Sequence, residues 1–85
     1  MVTELPTFYF HLREGEKLEK LEKDLEGTEF DSAERAYEEA VMAAREIMAA
    51  KVASGEVVDG QVFEVTDQTG MILYRLPLRS VIKLD

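Results

Sequence analysis

The chain contains a single histidine, His11, and this residue is the first candidate for chemistry. An imidazole titrates near neutral pH and can act as a general acid or base. That role needs a neighbouring group that orients the ring, and Glu64 or Thr66 on an adjacent strand could supply it. A lone histidine in a strand is more often structural, so we predict a cross-strand neighbour and not a catalytic residue.

Acidic residues around Gly27 raise the question of a metal site. Hard cations such as Ca²⁺ bind several carboxylate and carbonyl oxygens from one loop. The spacing here differs from the D-x-[DN]-x-[DN]-G calcium loop, and no glutamate closes the loop at the required distance. We therefore predict no metal site, and we expect Asp31 to cap the helix that follows, with the other acids near its positive end or in water. The cluster consists of Asp24, Glu26, Glu29 and Asp31.

Nucleophilic catalysis has no support in the sequence. Cysteine is absent, and no serine lies in a G-x-S-x-G motif or beside the histidine. The phosphate-binding pattern G-x-x-x-x-G-K-[ST] is absent as well. We therefore predict a protein that is not an enzyme and holds no cofactor. The serines considered are Ser32, Ser54 and Ser80.

The net charge of −8 argues against a nucleic-acid partner. Eight acidic residues and three lysines between Glu14 and Asp31 give that segment a charge of −5, whereas nucleic acids are bound by clustered Lys and Arg. An acidic segment of this kind could instead bind a basic protein. No apolar run approaches the roughly 20 residues of a membrane span. The lack of cysteine and of an apolar leader favours the cytoplasm.

The stretch PTFYFHLREGE, residues 6–16, alternates in the manner of a β-strand. Aromatic residues at alternate positions suit a half-buried pleated surface, and Pro6 lies at the entrance, where a missing N–H does least harm. We predict a strand over Thr7 to Arg13 that ends at Glu14-Gly15. One face would carry Phe8, Phe10 and Leu12, and the other Tyr9, His11 and Arg13.

The stretch EKLEKLEKDLEGTEF, residues 16–30, fits two interpretations. Its leucines recur at spacings of three and four, and Glu19 and Lys23 could pair across a turn, which favours a helix. A hairpin partner for the first strand fits equally well, and the stretch is too short for an independent coiled coil. We predict a second strand over about Lys17 to Lys23, followed by a loop through Gly27. The leucines are Leu18, Leu21 and Leu25.

The sequence DSAE, residues 31–34, begins the clearest element of the chain. An N-cap acceptor is followed three residues later by Glu34, ahead of a long alanine-rich run. Gly55 gives a C-terminal stop, and Lys51 in the last turn complements the helix dipole. We predict a helix from Ser32 to Ser54 that approaches its neighbour closely. Its apolar stripe consists of Ala33, Ala36, Tyr37, Ala40, Val41, Ala44, Ile47 and Met48.

Two β-rich runs follow a polar turn at Val58-Asp59-Gly60. The runs QVFEVTD and MILYRLPL are separated by QTG, which predicts a hairpin with Gly70 at positive φ. Pro77 ends the second strand or marks a sheet edge, and the tail LRSVIKLD predicts a short strand or a helical turn. In the first run, Phe63 and Val65 would lie on one face, and Val62, Glu64 and Thr66 on the other. In the second run, Ile72, Tyr74 and Leu76 would lie on one face, and Met71, Leu73 and Arg75 on the other.

Taken in order, FYFHLREGE, DLEGTEF, DSAERAYEEAVMAAREIMA and GQVFEVTDQTGMILYRLPL resemble a family of short, uncharacterised bacterial domains. Members carry an aromatic-aromatic-His-Leu strand, an Asp-x-Glu-Gly-x-Glu loop, an alanine-rich helix and a Phe-Glu-Val-x-Asp strand before a glycine turn. This chain departs from the pattern in a longer stretch between Gly15 and Asp24 and in Gln61, where members often have Trp. The resemblance implies the fold and a bacterial, cytoplasmic setting, and it implies no activity or site residue.

Together these patterns predict a single α+β domain over residues 1–85. We expect a two-layer sandwich in which the long helix covers one face of an antiparallel sheet of three or four strands (β-β-α-β-β). A chain of this length buries only about 60 to 65% of its unfolded surface, so pairing would add stability.

The other sheet face is the predicted interaction surface, unless the tail Leu78 to Leu84 folds back across it. We expect the chain to form a homodimer through this face or through an edge strand. The alternatives are an acidic regulatory, antitoxin-like component that binds a basic protein partner, and a domain that binds a small ligand or a metal. The predicted interface residues are Tyr9, His11, Arg13, Val62, Glu64, Met71, Leu73 and Arg75, with Thr66 in the same row.

Overall fold

A computed structural model describes residues 4–15, 17–56 and 60–81 of the chain. The fold is α+β, as the sequence predicts, and the segment after β1 contributes strands and not a helix. The short strand β3 was not predicted. In chain order the elements are β1 (Thr7–Glu14), β2 (Lys20–Glu22), β3 (Thr28–Glu29), α1 (Ala33–Ala53), β4 (Val62–Thr66), β5 (Ile72–Pro77) and a 3-10 helix (Leu78–Val81).

The strands form one open antiparallel sheet with β1 and β4 at its centre. The order is β2-β1-β4-β5, and β3 also pairs with β1. His11 on β1 lies opposite Glu64 on β4, and Glu64 lies opposite Arg75 on β5. Residues directly opposite one another share a face, so these three side chains form a row across the sheet.

Two short strands share the same edge of β1. In the β2 pairing, Leu12 lies opposite Glu22, whereas in the β3 pairing, Phe8 lies opposite Thr28. If the β2 register continued unchanged along β1, Glu26 would lie opposite Phe8. The residue observed there is Thr28, so the segment between β2 and β3 contains two more residues than a continuous ladder would need. The predicted loop through Gly27 is the segment that absorbs this offset.

The N-cap of helix α1 lies one residue later in the chain than predicted. Ser32 is the N-cap, and its Oγ accepts a hydrogen bond from the Arg35 N–H at 3.1 Å. The prediction that Asp31 caps the helix was wrong, because Asp31 precedes the cap. Glu34 then occupies the second helical position, and the capping-box geometry, which needs an acid at the third, does not form.

The helix ends at the predicted Ser54-Gly55 stop. Gly55 has a φ of 78°, and its N–H donates to the Val52 carbonyl at 3.1 Å. The Glu56 N–H donates to the Lys51 carbonyl at 2.9 Å. These two bonds form a Schellman motif, which requires a residue that tolerates the left-handed conformation.

Alanines allow α1 to lie close to the sheet. Ala36, Ala40 and Ala44 are fully buried, and the predicted stripe is confirmed at these positions and at Met48. Tyr37 differs, since it is 38% exposed and its ring lies 4.9 Å from that of Tyr74 at the margin of the core. The facing buried side chains are Phe8, Phe63, Val65, Leu76, Leu78 and Val81.

The hairpin of β4 and β5 contains a bulge that the sequence pattern did not indicate. Val65 lies opposite Tyr74, but Thr66 lies opposite Ile72, so β5 carries one extra residue at this point. The predicted alternation was therefore wrong at the start of β5. Ile72 shares the face of Thr66, and Leu73 packs against the core. Gly70 in the turn has the predicted positive φ, 88°.

The 3-10 helix brings the start of the tail to the helix side of the sheet. Leu78 and Val81 are buried in the core beneath α1. As far as Val81, the tail therefore does not fold back across the opposite face. The rest of the tail and the predicted turn residues Val58 and Asp59 lie outside the described residues. We call the opposite face the outer face; its β1, β4 and β5 residues are Thr7, Tyr9, His11, Arg13, Val62, Glu64, Thr66, Ile72, Arg75 and Pro77.

Candidate functional site

His11 fastens the segment between β2 and β3 to β1. Its Nδ1 accepts a hydrogen bond from the backbone N–H of Asp24 at 3.0 Å. The Asp24 carboxylate accepts the Phe10 N–H through Oδ2 at 3.2 Å and the Gly27 N–H through Oδ1 at 3.1 Å. At Phe10 the register offset leaves β1 without a backbone acceptor, and the Asp24 side chain replaces it.

Both ring nitrogens of His11 are engaged within the protein. Because Nδ1 is an acceptor, the neutral ring carries its proton on Nε2, which donates to Thr66 Oγ1 at 3.3 Å. The Tyr9 ring stacks beside the imidazole, with centroids 6.1 Å apart and an interplanar angle of 8°. A general base needs a free nitrogen facing its substrate, so this geometry supports a structural role for His11.

Gly27 lies where a larger residue has no room. Its φ is 70°, and a Cβ at this position would lie 2.7 Å from Thr7 Cγ2 and 2.7 Å from Tyr9 Cε2. The carbonyl oxygen of Phe8 would be only 2.9 Å away. The turn from Asp24 to Gly27 is therefore pressed against β1. We call residues 24–27 the Asp24 turn.

The acidic cluster around Gly27 is dispersed in the fold. The Asp24 oxygens accept backbone N–H groups of the turn and of β1, while Glu26, Glu29 and Asp31 are exposed. Among the described residues, no group of three His, Cys, Asp or Glu side chains is placed to hold a metal ion. The acids near Gly27 thus act separately, and Asp24 acts as a backbone acceptor.

Glu64 is a buried carboxylate on the outer face. Only 5% of the residue is exposed. Its Oε2 accepts a hydrogen bond from Arg13 Nε at 2.9 Å and lies 3.5 Å from Arg75 Nε. Arg13 also donates from Nη1 to the Leu18 carbonyl at 3.1 Å, which fixes the turn after β1 beside the face. A carboxylate can be buried at modest cost when cations and hydrogen bonds compensate its charge in this way.

A groove of about 410 Å³ crosses this end of the outer face. Glu64 and Val62 form its floor, and Leu18 and Ile72 supply apolar walls. The cations Arg13, Lys17 and Arg75 line the groove around the one carboxylate, although the whole chain has a net charge of −8.

The outer face carries opposite charges at its two ends. Thr7, at the start of β1, lies opposite the exposed Glu29 on β3, so Glu29 points to the outer face. Arg13, near the end of β1, borders the basic groove. The six residue steps between Thr7 and Arg13 separate the two ends by about 20 Å.

The fold brings together most of the predicted interface. Met71 lies before β5 and is 62% exposed, and Leu73 packs against the core, so neither belongs to the row across the sheet. Those that share the outer face are Tyr9, His11, Arg13, Val62, Glu64 and Arg75.

Sequence reasoning missed four residues that form the charge pattern and the groove of this face. Glu29 would have followed from extending the strand prediction beyond Gly27. Ile72 depends on the bulge, which has no evident sequence signal. Lys17 and Leu18 reach the groove only because Arg13 holds the turn in place.

Comparison with known proteins identifies the family of the chain. A family model described as a domain of unknown function, DUF6894, matches residues 7–79. The chain belongs to this family. Every strand and the helix α1 lie within the DUF6894 match. No curated protein and no solved structure matches the chain. In the described parts of this DUF6894 chain, no helix combines the length and the hydropathy needed to cross a bilayer.

Proposed function

We propose that this chain is a non-catalytic protein-interaction module that pairs with a second copy of itself through the outer face. Within residues 4–15, 17–56 and 60–81 no element covers this face, because α1 and the 3-10 helix pack on the other side of the sheet. Its two buried polar side chains are already paired, Glu64 with Arg13 and Arg75, and Thr66 with His11. Paired polar groups lose less free energy when water is removed. This internal pairing is the observation that carries the proposal.

The charge arrangement favours a second copy as the partner. A two-fold axis that lies in the interface and crosses the strands would place the basic groove of one copy over Glu29 of the other. In a two-fold pair each such contact forms twice. Opposite charges then face one another, and the repulsion between two basic grooves is avoided.

The free edge of β5 is a less favourable surface for pairing. The Leu78 N–H donates to the Gln61 carbonyl at 2.9 Å, and by alternation along the ladder the backbone groups of Arg75 and Pro77 point outward. Pro77 has no N–H to offer to an added strand. We therefore assign self-association to the outer face.

The size of the face sets the expected affinity. The strands β1, β2, β4 and β5 contain 8, 3, 5 and 6 residues, and at about 3.3 Å per residue and a spacing of about 4.8 Å they give roughly 350 Å² on each copy. The total of about 700 Å² is below the usual size of stable specific interfaces and is typical of a weak one. We therefore expect a dissociation constant of micromolar order or weaker.

Light scattering coupled to size-exclusion chromatography tests the pairing. The wild-type chain at high micromolar concentration is expected to elute with the mass of a dimer. Glu29→Lys and Lys17→Glu each place like charges across the interface, because the axis keeps the β3 edge of one copy over the β2 side of the groove of the other, and both are expected to shift the mass towards the monomer. The double variant restores opposite charges and is expected to recover the dimer.

Glu46→Lys is the matched control, because it makes the same charge change on the exposed side of α1. It is expected to leave the dimer unchanged. A monomeric wild-type chain at high micromolar concentration would contradict self-association. A dimer that none of the charge changes weakens would place the interface elsewhere.

A second surface is supported by two exposed acids, one in the Asp24 turn and one just before it. Glu22 and Glu26 are exposed and form no ion pair with other described residues, so a basic protein could bind there. Charge reversal at these two positions is expected to weaken such binding, whereas reversal at Asp24 would disturb the fold itself. We also propose a bacterial cytoplasmic setting, which the family resemblance and the cysteine-free sequence support.

A further inference from the structure

The basic groove has more hydrogen-bond donors than the protein uses. The Arg75 side chain is 67% exposed, and its contact with Glu64 involves Nε alone, at 3.5 Å. The two terminal nitrogens of this guanidinium therefore have no bond to the described residues. Lys17 is exposed, and its ammonium group forms no ion pair with them either. An anion that enters the groove meets unused donors on both sides.

The floor of the groove does not repel an anion. The Glu64 charge is compensated by Arg13 at 2.9 Å, so Arg75 and Lys17 supply an excess positive charge. A planar guanidinium with two free nitrogens matches the two oxygens of a carboxylate. Leu18, Val62 and Ile72 lie beside these donors and can cover an apolar group attached to the carboxylate.

We propose that this groove is a binding site for a carboxylate that carries a small aliphatic group. Arg75 and Lys17 would bind the carboxylate oxygens, and the apolar walls would take the aliphatic part. The volume of about 410 Å³ is within the range of small-ligand sites. The site does not require a second copy of the chain, and it goes beyond the proposed self-association.

Nuclear magnetic resonance titration of the ¹⁵N-labelled chain tests the site with a matched pair of probes. N-acetyl-L-leucine carries the carboxylate and the aliphatic group, whereas N-acetyl-L-leucinamide has the same shape without the charge. The acid is expected to shift the amide signals of Val62, Glu64 and Arg75 in a saturable way, with a dissociation constant of about 1 mM. The amide is expected to bind about tenfold more weakly or not at all.

Two variants with equal loss of charge locate the binding. Arg75→Gln is expected to weaken binding about fivefold or more, because it removes the guanidinium donors. Arg45→Gln removes a cation that borders a different, apolar depression on α1 and is expected to have no effect. Equal binding of acid and amide, no saturable shift, or equal weakening by the two variants would each overturn the site.

A further probe and a further variant separate related outcomes. Hexanoate that binds as well as N-acetyl-L-leucine supports a free small acid as the ligand, and preference for the acetylated amino acid supports a peptide C-terminus. The titration is repeated with Glu29→Lys, which keeps the groove and disrupts the proposed dimer. If the chain is a monomer and binds the carboxylate, the binding site is supported and self-association is not. If the chain is a dimer and no carboxylate binding is observed, only self-association is supported.

Discussion

At the scale of single residues, His11 and Asp24 act as one unit. The histidine accepts the Asp24 N–H, and the Asp24 carboxylate accepts N–H groups from Phe10 and Gly27. None of these bonds follows the regular ladder, so the side chains supply the pairing that the backbone lacks at this position. The residue types that suggest catalysis are therefore used to hold a turn against a strand.

Substitution of His11 tests this role. His11→Ala leaves the Asp24 N–H without its acceptor and is expected to lower the free energy of unfolding by about 1 to 2 kcal/mol. His11→Asn places an amide oxygen close to the position of Nδ1 and is expected to retain more than half of that stability. Both variants lose the contact with Thr66. The difference between their free energies of unfolding, measured by urea denaturation followed by circular dichroism, therefore reports the hydrogen bond to the Asp24 N–H. Equal stability of the two variants would contradict it.

At the scale of elements, the Asp24 turn and the β4–β5 hairpin differ in how tightly they are packed. Both contain a glycine at positive φ, Gly27 at 70° and Gly70 at 88°. A Cβ at Gly27 would collide with β1, whereas a Cβ at Gly70 would meet open space. The turn between β2 and β3 is thus packed against β1. The β4–β5 turn has no packing neighbour at its glycine.

This contrast predicts different costs for the same substitution. Gly70→Ala introduces only the strain of the left-handed conformation and is expected to cost about 1 kcal/mol of unfolding free energy. Gly27→Ala adds the collision with Thr7, Tyr9 and the Phe8 carbonyl and is expected to cost roughly 3 kcal/mol or more. Chemical denaturation of the two variants measures the difference. Similar costs would show that β1 can yield to the added methyl group.

The hairpin turn also gives stability a dependence on pH. The Thr69 hydroxyl donates a hydrogen bond to the Asp67 carboxylate, as do backbone N–H groups of the turn, and these bonds hold the Asp67 pKa below the ordinary value of 3.8. Since the folded-state pKa is the lower one, the ionised form adds stability above pH 3.8 that is lost as the pH falls through the folded-state pKa.

Asp67→Asn is therefore expected to be less stable than the wild type at neutral pH. Its free energy of unfolding should also depend less on pH below 3.8. Thr69→Ala removes only the hydroxyl donor and is expected to bring the Asp67 pKa closer to its ordinary value. Urea titrations across the acid range measure both effects, and identical pH profiles for all three proteins would contradict them.

The elements that the sequence predicts well are those with strong local signals. The alanine stripe and the Gly55 stop define α1, and the alternating aromatics define β1, because both patterns act within a few residues. The β5 bulge and the split edge of β1 depend on contacts between distant segments. The ion pairs of Glu64 with Arg13 and Arg75 also join residues of different strands. The sequence pattern therefore placed these three residues on one face but did not predict that they form ion pairs.

At the scale of the whole molecule, the described elements cover the sheet on one side only. The core lies between α1 and the sheet, and the buried groups of the outer face, Glu64 and Thr66, are polar residues shielded by their neighbours. The molecule therefore has an apolar core on one side of the sheet and a compensated polar layer on the other. A partner that binds to the outer face would bury this polar layer between the two molecules.

Self-association through the outer face predicts that stability depends on concentration. A partner that binds only the folded chain shifts unfolding by mass action, so a tenfold rise in protein concentration is expected to add up to about 1.4 kcal/mol per dimer. Thermal unfolding of the wild type should therefore move to higher temperature as concentration increases. Glu29→Lys is expected to lose this dependence, and the double variant with Lys17→Glu to regain it. A concentration-independent midpoint for the wild type would argue against the dimer.

The split edge of β1 has a consequence for how the chain can vary in length. The Asp24 turn is bound directly to β1 through Asp24 and Gly27, so its position does not depend on the residues of β2. Insertions or deletions between Gly15 and Asp24 can therefore change the size of the hairpin without moving β3 or the helix. The same independence makes this loop a suitable point at which to insert a tag or a reporter peptide.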